Sequence, residues 1–222
     1  SSTSLLFALG IAPAGAGSPD VNSGEFLNNS YLQGISVVPA WDAGLLGNGV
    51  VVANLDSGVR ANHVDLAGTI LPGYDFVNDD DDPFDDEKSL TYGHGTASSG
   101  IIVGNWNGVG IGGIAPNARI VPVKITNEEN LTDGGLISQG VSYATSRSDV
   151  KIILLENVGS STSLDEFVAF NNAVAAGKLL IAPSGNAGLA SPVNPASQFA
   201  ALGGAALVVG SHNGGGGRSP FS

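Results

Sequence analysis

Cysteine is absent from the 222-residue chain, which excludes a disulfide framework and any thiolate metal site. Methionine is absent as well, so no initiator residue is present and the sequence reads as a processed product or a piece of a longer one. Cations are scarce. Eight Lys and Arg stand against 20 Asp and Glu, a formal net charge of -12, and such a surface repels a duplex or an anionic bilayer; no nucleic acid and no membrane is expected as a partner. No apolar run reaches the roughly 20 residues that a membrane-spanning helix needs. The short one at 5–12, followed by small residues to Ala16, reads either as the tail of a signal peptide without its basic start or as an apolar arm.

What the chain does have is 42% apolar residues, enough for one sizeable core. Apolar β-rich runs at 50–55, 119–125, 151–155, 178–182 and 206–209 alternate with helical patterns at 94–104, 133–147 and 163–176. That alternation predicts an α/β fold, a three-layer sandwich with a mostly parallel central sheet. The second helix has an N-cap residue, Asp133, ahead of Leu136, Ile137, Val141 and Ala144 at three- and four-residue spacing. The strand at 151–155 is almost wholly apolar, as one covered on both faces should be. Functional groups of such sheets gather beyond the carboxyl ends of the strands, where Asp56 and Asn186 fall. Taken singly, Asp56 is a turn former before Ser57-Gly58, His94 a structural histidine and Asn186 a turn residue between glycines.

Their contexts resemble the subtilisin-like serine proteases, the subtilase family, over roughly residues 37–222. Val51 to Gly58 resembles the family's strand ending in Asp-(Ser/Thr)-Gly, and Gly93-His94-Gly95-Thr96 its histidine helix. Gly113-Ile114-Ala115-Pro116 with the following strand, Ser184-Gly185-Asn186, and Arg218 to Ser222 match in the same order. The resemblance implies a serine endopeptidase in which Asp56 orients His94, His94 acts as general base and then general acid, and Asn186 donates to the oxyanion. The nucleophilic serine of the family's Gly-Thr-Ser motif is expected roughly thirty residues beyond Phe221, so the chain itself is expected to be close to inactive. A noncatalytic calcium-binding module on the same fold is the other reading.

The resemblance implies calcium too, with Asp65, Asn105, Asn107, Val109 and Ile111 as ligands in a tight loop, a glycine-rich connector being the plain alternative; calcium suits such a set because it accepts six to eight hard oxygens, carbonyls included. The acidic run 75–86 is either a solvated loop or a second calcium site through Asp75, Asp80 and Asp82, since so many like charges repel without a cation. Asn130-Leu131-Thr132 and Asn157-Val158-Gly159 stand where the family pairs with the backbone of a polypeptide substrate. Several residues depart from the family pattern: Glu156 before that second segment, Ala97-Ser98 after Gly-Thr, and Pro183. Gly108 to Gly113 spells the dinucleotide fingerprint but follows a helix and opens a strand, the reverse of what a pyrophosphate needs. His63 and His212 have no motif and read as surface residues. The expected organisation is an N-terminal arm or processed segment, 1–36, and a catalytic domain, 37–222, in a secreted, extracellular monomer; an inhibitory propeptide is a further candidate partner, although residues 1–36 hold none of the usual size and leave the mode of control open.

Overall fold

The computed structural model describes residues 19–88, 93–129, 131–157, 163–191, 196–199, 201–213 and 216–222. Among these residues six parallel strands, β1 (Val51–Asp56), β2 (Tyr74–Asp75), β3 (Arg119–Lys124), β4 (Ile152–Leu155), β5 (Leu179–Pro183) and β6 (Ala206–Val209), form one sheet in the order β2-β3-β1-β4-β5-β6. β1 pairs with β3 from Val51↔Arg119 to Asp56↔Lys124 and with β4 from Val52↔Ile152 to Leu55↔Leu155. The order reverses at β1. After β1 the chain runs to the sheet edge at β2, comes back to β3 beside β1, and then crosses to the other side of β1 to lay down β4, β5 and β6 in turn; this switch opens a crevice at the strands' carboxyl ends.

Side chains alternate across the sheet. On one face Ala53, Leu55, Val121, Val123, Ile153, Leu155 and Leu180 pack against two long helices, called α5 (Gly134–Ser146) and α6 (Leu164–Ala175) after four earlier ones. α5 starts where Asp133 accepts the Leu136 N–H at 2.9 Å, and α6 starts with a full capping box between Ser163 and Glu166. Each satisfies amide groups that have no partner within the helix. On the other face Val52, Ile120, Ile152 and Leu154 meet Ile102 and Val103 of α4 (His94–Val103). The three-layer α/β expectation therefore holds.

Among the described residues three short helices, α1 (Gly24–Leu27), α2 (Ser30–Gly34) and α3 (Val38–Asp42), precede the sheet. Phe26, Leu32, Val37, Trp41 and Leu46 form a small core of their own that closes on Trp106 and Ile114. Helices of four or five residues carry too little periodicity to be seen in sequence, and two-residue β2 carries none. β5 and β6 are less covered: Leu207, Val208 and Val209 are exposed. No helix among the described residues is long and apolar enough to cross a membrane.

Candidate active site

The end of β1 fixes the first group. Asp56 is the last residue of the strand, 1% exposed, and its carboxylate accepts the Ser57 N–H at 2.6 Å and the Ser98 hydroxyl at 3.2 Å. The remaining contact is to the ring of His94, whose Nδ1 lies 2.8 Å from Oδ2 and 3.0 Å from Oδ1. A carboxylate can only accept, so Nδ1 carries a proton and Nε2 is the nitrogen left to exchange one. The hydrogen bond to Asp56, opposed by partial burial and aided by the charges of Asp56, Glu156 and Glu87, pushes the His94 imidazole up to about 9.

His94 is the first residue of α4, and the helix is held against β1 from three directions. Gly95 sits so close to the strand that a Cβ there would lie 2.2 Å from the Gly58 carbonyl and 3.1 Å from Asp56 Cβ. Asn54, facing α4 from inside β1, donates to Ser98 Oγ at 3.0 Å and Ser99 Oγ at 3.1 Å. The N-cap residue, Gly93, has no side chain with which to cap the helix. The free amides at this end are met instead by a remote loop and strand: Glu87 Oε2 accepts from His94 N at 2.8 Å, Ser57 Oγ from Gly95 N at 3.0 Å and Asp85 Oδ2 from Thr96 N at 3.0 Å. Asp85 also accepts from the hydroxyls of Thr96 and Ser57. Both carboxylates are buried, where charge-assisted bonds to a helix N-terminus count most.

These supporting residues escaped the sequence reading. Asp85 sits in the run 75–86 that suggested metal and Glu87 just past it, and the available signal was indirect, a glycine at an N-cap that must be filled from elsewhere. Ser98, noted only as a departure from the family pattern, is a ligand of Asp56.

Asn186 lies just past β5, two strands from β1 and thus about 10 Å along the sheet edge. It is exposed and lines a cavity of about 320 Å³ with Glu156, Pro183, Ser184, Gly185 and Ser222. Asp56 and His94 are brought into contact, and Asn186 shares their edge. Of the segments assigned to substrate pairing, Asn130, Val158 and Gly159 lie outside the described residues. Leu131 is exposed but exchanges bonds with Asn127, Thr132 is half-buried, and Asn157 is buried with Oδ1 unpartnered.

The loop carrying Asn105, Asn107, Val109 and Ile111 wraps the carboxylate of Asp65. Asp65 Oδ1 accepts from Asn107 Nδ2 at 3.2 Å and Oδ2 from Ile111 N at 3.3 Å; Asn105 N bonds the Asp65 carbonyl at 2.7 Å. Gly110, at φ +64°, passes so near that a Cβ would lie 2.1 Å from Asp65 Oδ2. A second buried carboxylate, Glu25, accepts the Asn107 N–H at 3.0 Å, again unforeseen because it comes from the N-terminal helices.

The acidic run is ordered differently. Asp75 is fully buried, accepts from Val77 N, Asn78 N and Asn78 Nδ2, and lies 3.4 Å from Lys124 Nζ. Lys124 also binds Asp86 and the Phe84 carbonyl. Asp80 accepts from Asp82 N at 2.9 Å. Among the described residues no three His, Asp or Glu side chains gather as a metal group, and the trio Asp75, Asp80 and Asp82 is not one. His63 and His212 are exposed, as expected.

The pattern of a strand-end aspartate bonded to a helix-start histidine coincides with a match to the subtilase family over residues 47–222. The chain belongs to the subtilase family. It is 34% identical over 165 residues to thermitase of Thermoactinomyces vulgaris, covering 74% of this chain and 57% of that protein. To the minor extracellular protease Epr of Bacillus subtilis (strain 168) it is 37% identical over 172 residues, 77% of this chain and 25% of Epr. To the major intracellular serine protease of the same organism it is 36% identical over 164 residues, 72% of this chain and 51% of that protein. This subtilase chain thus spans little more than half the length of these relatives, or less.

Proposed function

We propose that this chain belongs to a serine endopeptidase that hydrolyses polypeptides through Asp56, His94, a serine beyond residue 222 and an oxyanion contact from Asn186. The observation that carries the proposal is the 2.8 Å bond between Asp56 and His94 Nδ1, made in a chain that belongs to a family with serine proteases among its named relatives. Asp56 fixes the tautomer and stabilises the imidazolium; Nε2 takes the serine proton during attack on the peptide carbonyl and returns it to the leaving amine. The Asn186 amide then stabilises the tetrahedral oxyanion. Segments 130–132 and 157–159 pair with the substrate backbone, and the acidic surface favours peptides with basic residues before the cut. The test is peptide hydrolysis by the full-length protein. Activity should be lost in His94→Ala, and cleavage by that variant at the wild-type rate would refute the proposal.

Calcium belongs to the same reading, at the Asp65 loop. Two buried carboxylates, Asp65 and Glu25, with the Asn107 amide oxygen and the carbonyls of Asn105, Val109 and Ile111, make a hard-oxygen set of the kind this ion takes. Bound there, calcium would neutralise the two acids and fix the loop behind α4. Asp75 fits less well, since Lys124 already supplies its positive charge, so the site at Asp75, Asp80 and Asp82 is not part of the proposal. We further propose secretion, action as a monomer under an inhibitory propeptide, and the division into an arm at 1–36 and a catalytic domain at 37–222. The name of Epr includes "extracellular" and that of another relative "intracellular", so localisation of the full-length protein in a producing culture is the deciding observation.

A further inference from the structure

A second acid stands at the same edge as the Asp56–His94 pair. β1 and β4 are in register at Leu55↔Leu155, and the Glu156 N–H bonds the Leu55 carbonyl at 3.3 Å, which sets Glu156 level with Asp56 on the neighbouring strand. Ile152 and Leu154 face α4. Two residues on, Glu156 continues that alternation and lines the cavity that also holds Asn186. Residues level with each other in adjacent strands have backbones about 5 Å apart, so the two carboxyl groups and the imidazole lie near enough to feel one another's charge.

We infer that Glu156 is a positioning residue of this edge, a carboxyl group that gains or loses its charge beside the Asp56–His94 pair and so couples the protonation of His94 to its own. The inference rests on the reading of Asp56 and His94 as the acid–base pair. The surroundings of Glu156 favour its neutral form at modest acidity. β1 presents Asp56 and α4 presents His94; Glu87 lies behind His94 on its amide. Lys124, level with Asp56 on β3, is drawn away to Asp75 and Asp86. From β5 and the loop after it come Pro183, Ser184 and Asn186, none ionisable. From beyond β6 come Ser211 and Ser222, with Arg218 bound to the Ser222 carbonyl. Burial first, then the charge of Asp56, against the weaker pull of His94, pushes the Glu156 carboxyl up to about 7. With Glu156 neutral, His94 faces Asp56 alone; once Glu156 ionises, a second negative charge holds the proton on the ring.

NMR titration of the 222-residue chain tests this without recourse to peptide cleavage. Two resonances are followed, the His94 ring nitrogens and the Glu156 side-chain carboxyl carbon, in the wild type, E156Q and E156D. The expected results are a Glu156 step near neutral pH in the wild type, and a His94 midpoint lower by about half a unit in E156Q, the size of one charge acting over several ångströms of well-screened space. E156D should restore part of that difference. A His94 midpoint identical in wild type and E156Q, or a Glu156 carboxyl titrating with ordinary glutamates near 4.3, would overturn the inference. The second measurement needs no variant to fold. Failure of the endopeptidase proposal would register separately, as peptide hydrolysis indifferent to His94→Ala.

Discussion

Asp56, Asp85 and Glu87 are three buried carboxylates with different partners, and the partners decide what each does. Asp56 faces an imidazole and governs a proton; Asp85 and Glu87 face backbone amides and govern a position. Removing Asp85 should therefore act on stability. Asp85→Ala leaves Thr96 N–H and the Ser57 and Thr96 hydroxyls short of an acceptor, and the unfolding free energy from urea titration should fall by about 3 kcal/mol. Asn186→Ala should behave oppositely, since the side chain is exposed at the edge: full-length protein carrying it should keep its fold and KM but lose roughly 100- to 1,000-fold in kcat. At this scale the sequence was informative where a residue carried its own context, as Asp56, His94 and Asn186 did. It was silent where a side chain acts across space, because Asp85, Glu87 and Glu25 reach groups that only the fold brings near.

α4 is the element on which the site depends, since its first residue is His94 and its second is the point of closest approach to β1. A methyl group at Gly95 has nowhere to go: the nearest atoms are a backbone carbonyl and Asp56 itself. Gly95→Ala should push the helix off the strand, cost about 1–3 kcal/mol and break the Asp56–His94 contact, read as loss of thermal stability together with a His94 titration returned toward the ordinary range. Ser163→Ala provides the comparison, removing a cap on α6 for about 1 kcal/mol while leaving His94 unchanged. α5 and α6 were legible because each repeats its helical period and carries a local cap, the long strands because they are apolar β-rich runs, and α4 through the Gly-His-Gly-Thr context at its start. β2 and the helices before the sheet were not, as their lengths give no repeat, and the capping of α4 was not, as it comes from a loop seven or more residues away.

At the scale of the whole molecule, two raised groups give stability a slope in pH. An unfolded glutamate ionises near 4.5 and Glu156 near 7 in the fold; an unfolded imidazole titrates near 6.5 and His94 near 9. In both cases the folded form holds its proton longer, so both contributions are complete at low pH and are lost as pH rises, Glu156 between about 4.5 and 7 and His94 between about 6.5 and 9. Urea midpoints should decline across that span, E156Q flattening the lower part and His94→Ala the upper. Excess calcium should raise the melting temperature of the chain by binding only its folded form, and Asp65→Asn should abolish the rise; no shift with calcium in the wild type would remove the proposed site. The catalytic reading of this edge depends on one contact, the bond from His94 Nδ1 to Asp56 at the carboxyl end of a parallel sheet. The most direct measurement is the titration of the His94 ring by NMR in the wild type and in Asp56→Asn: a midpoint near 9 that drops toward 6.5 in the variant is the predicted result, and an ordinary midpoint common to both proteins would contradict the account.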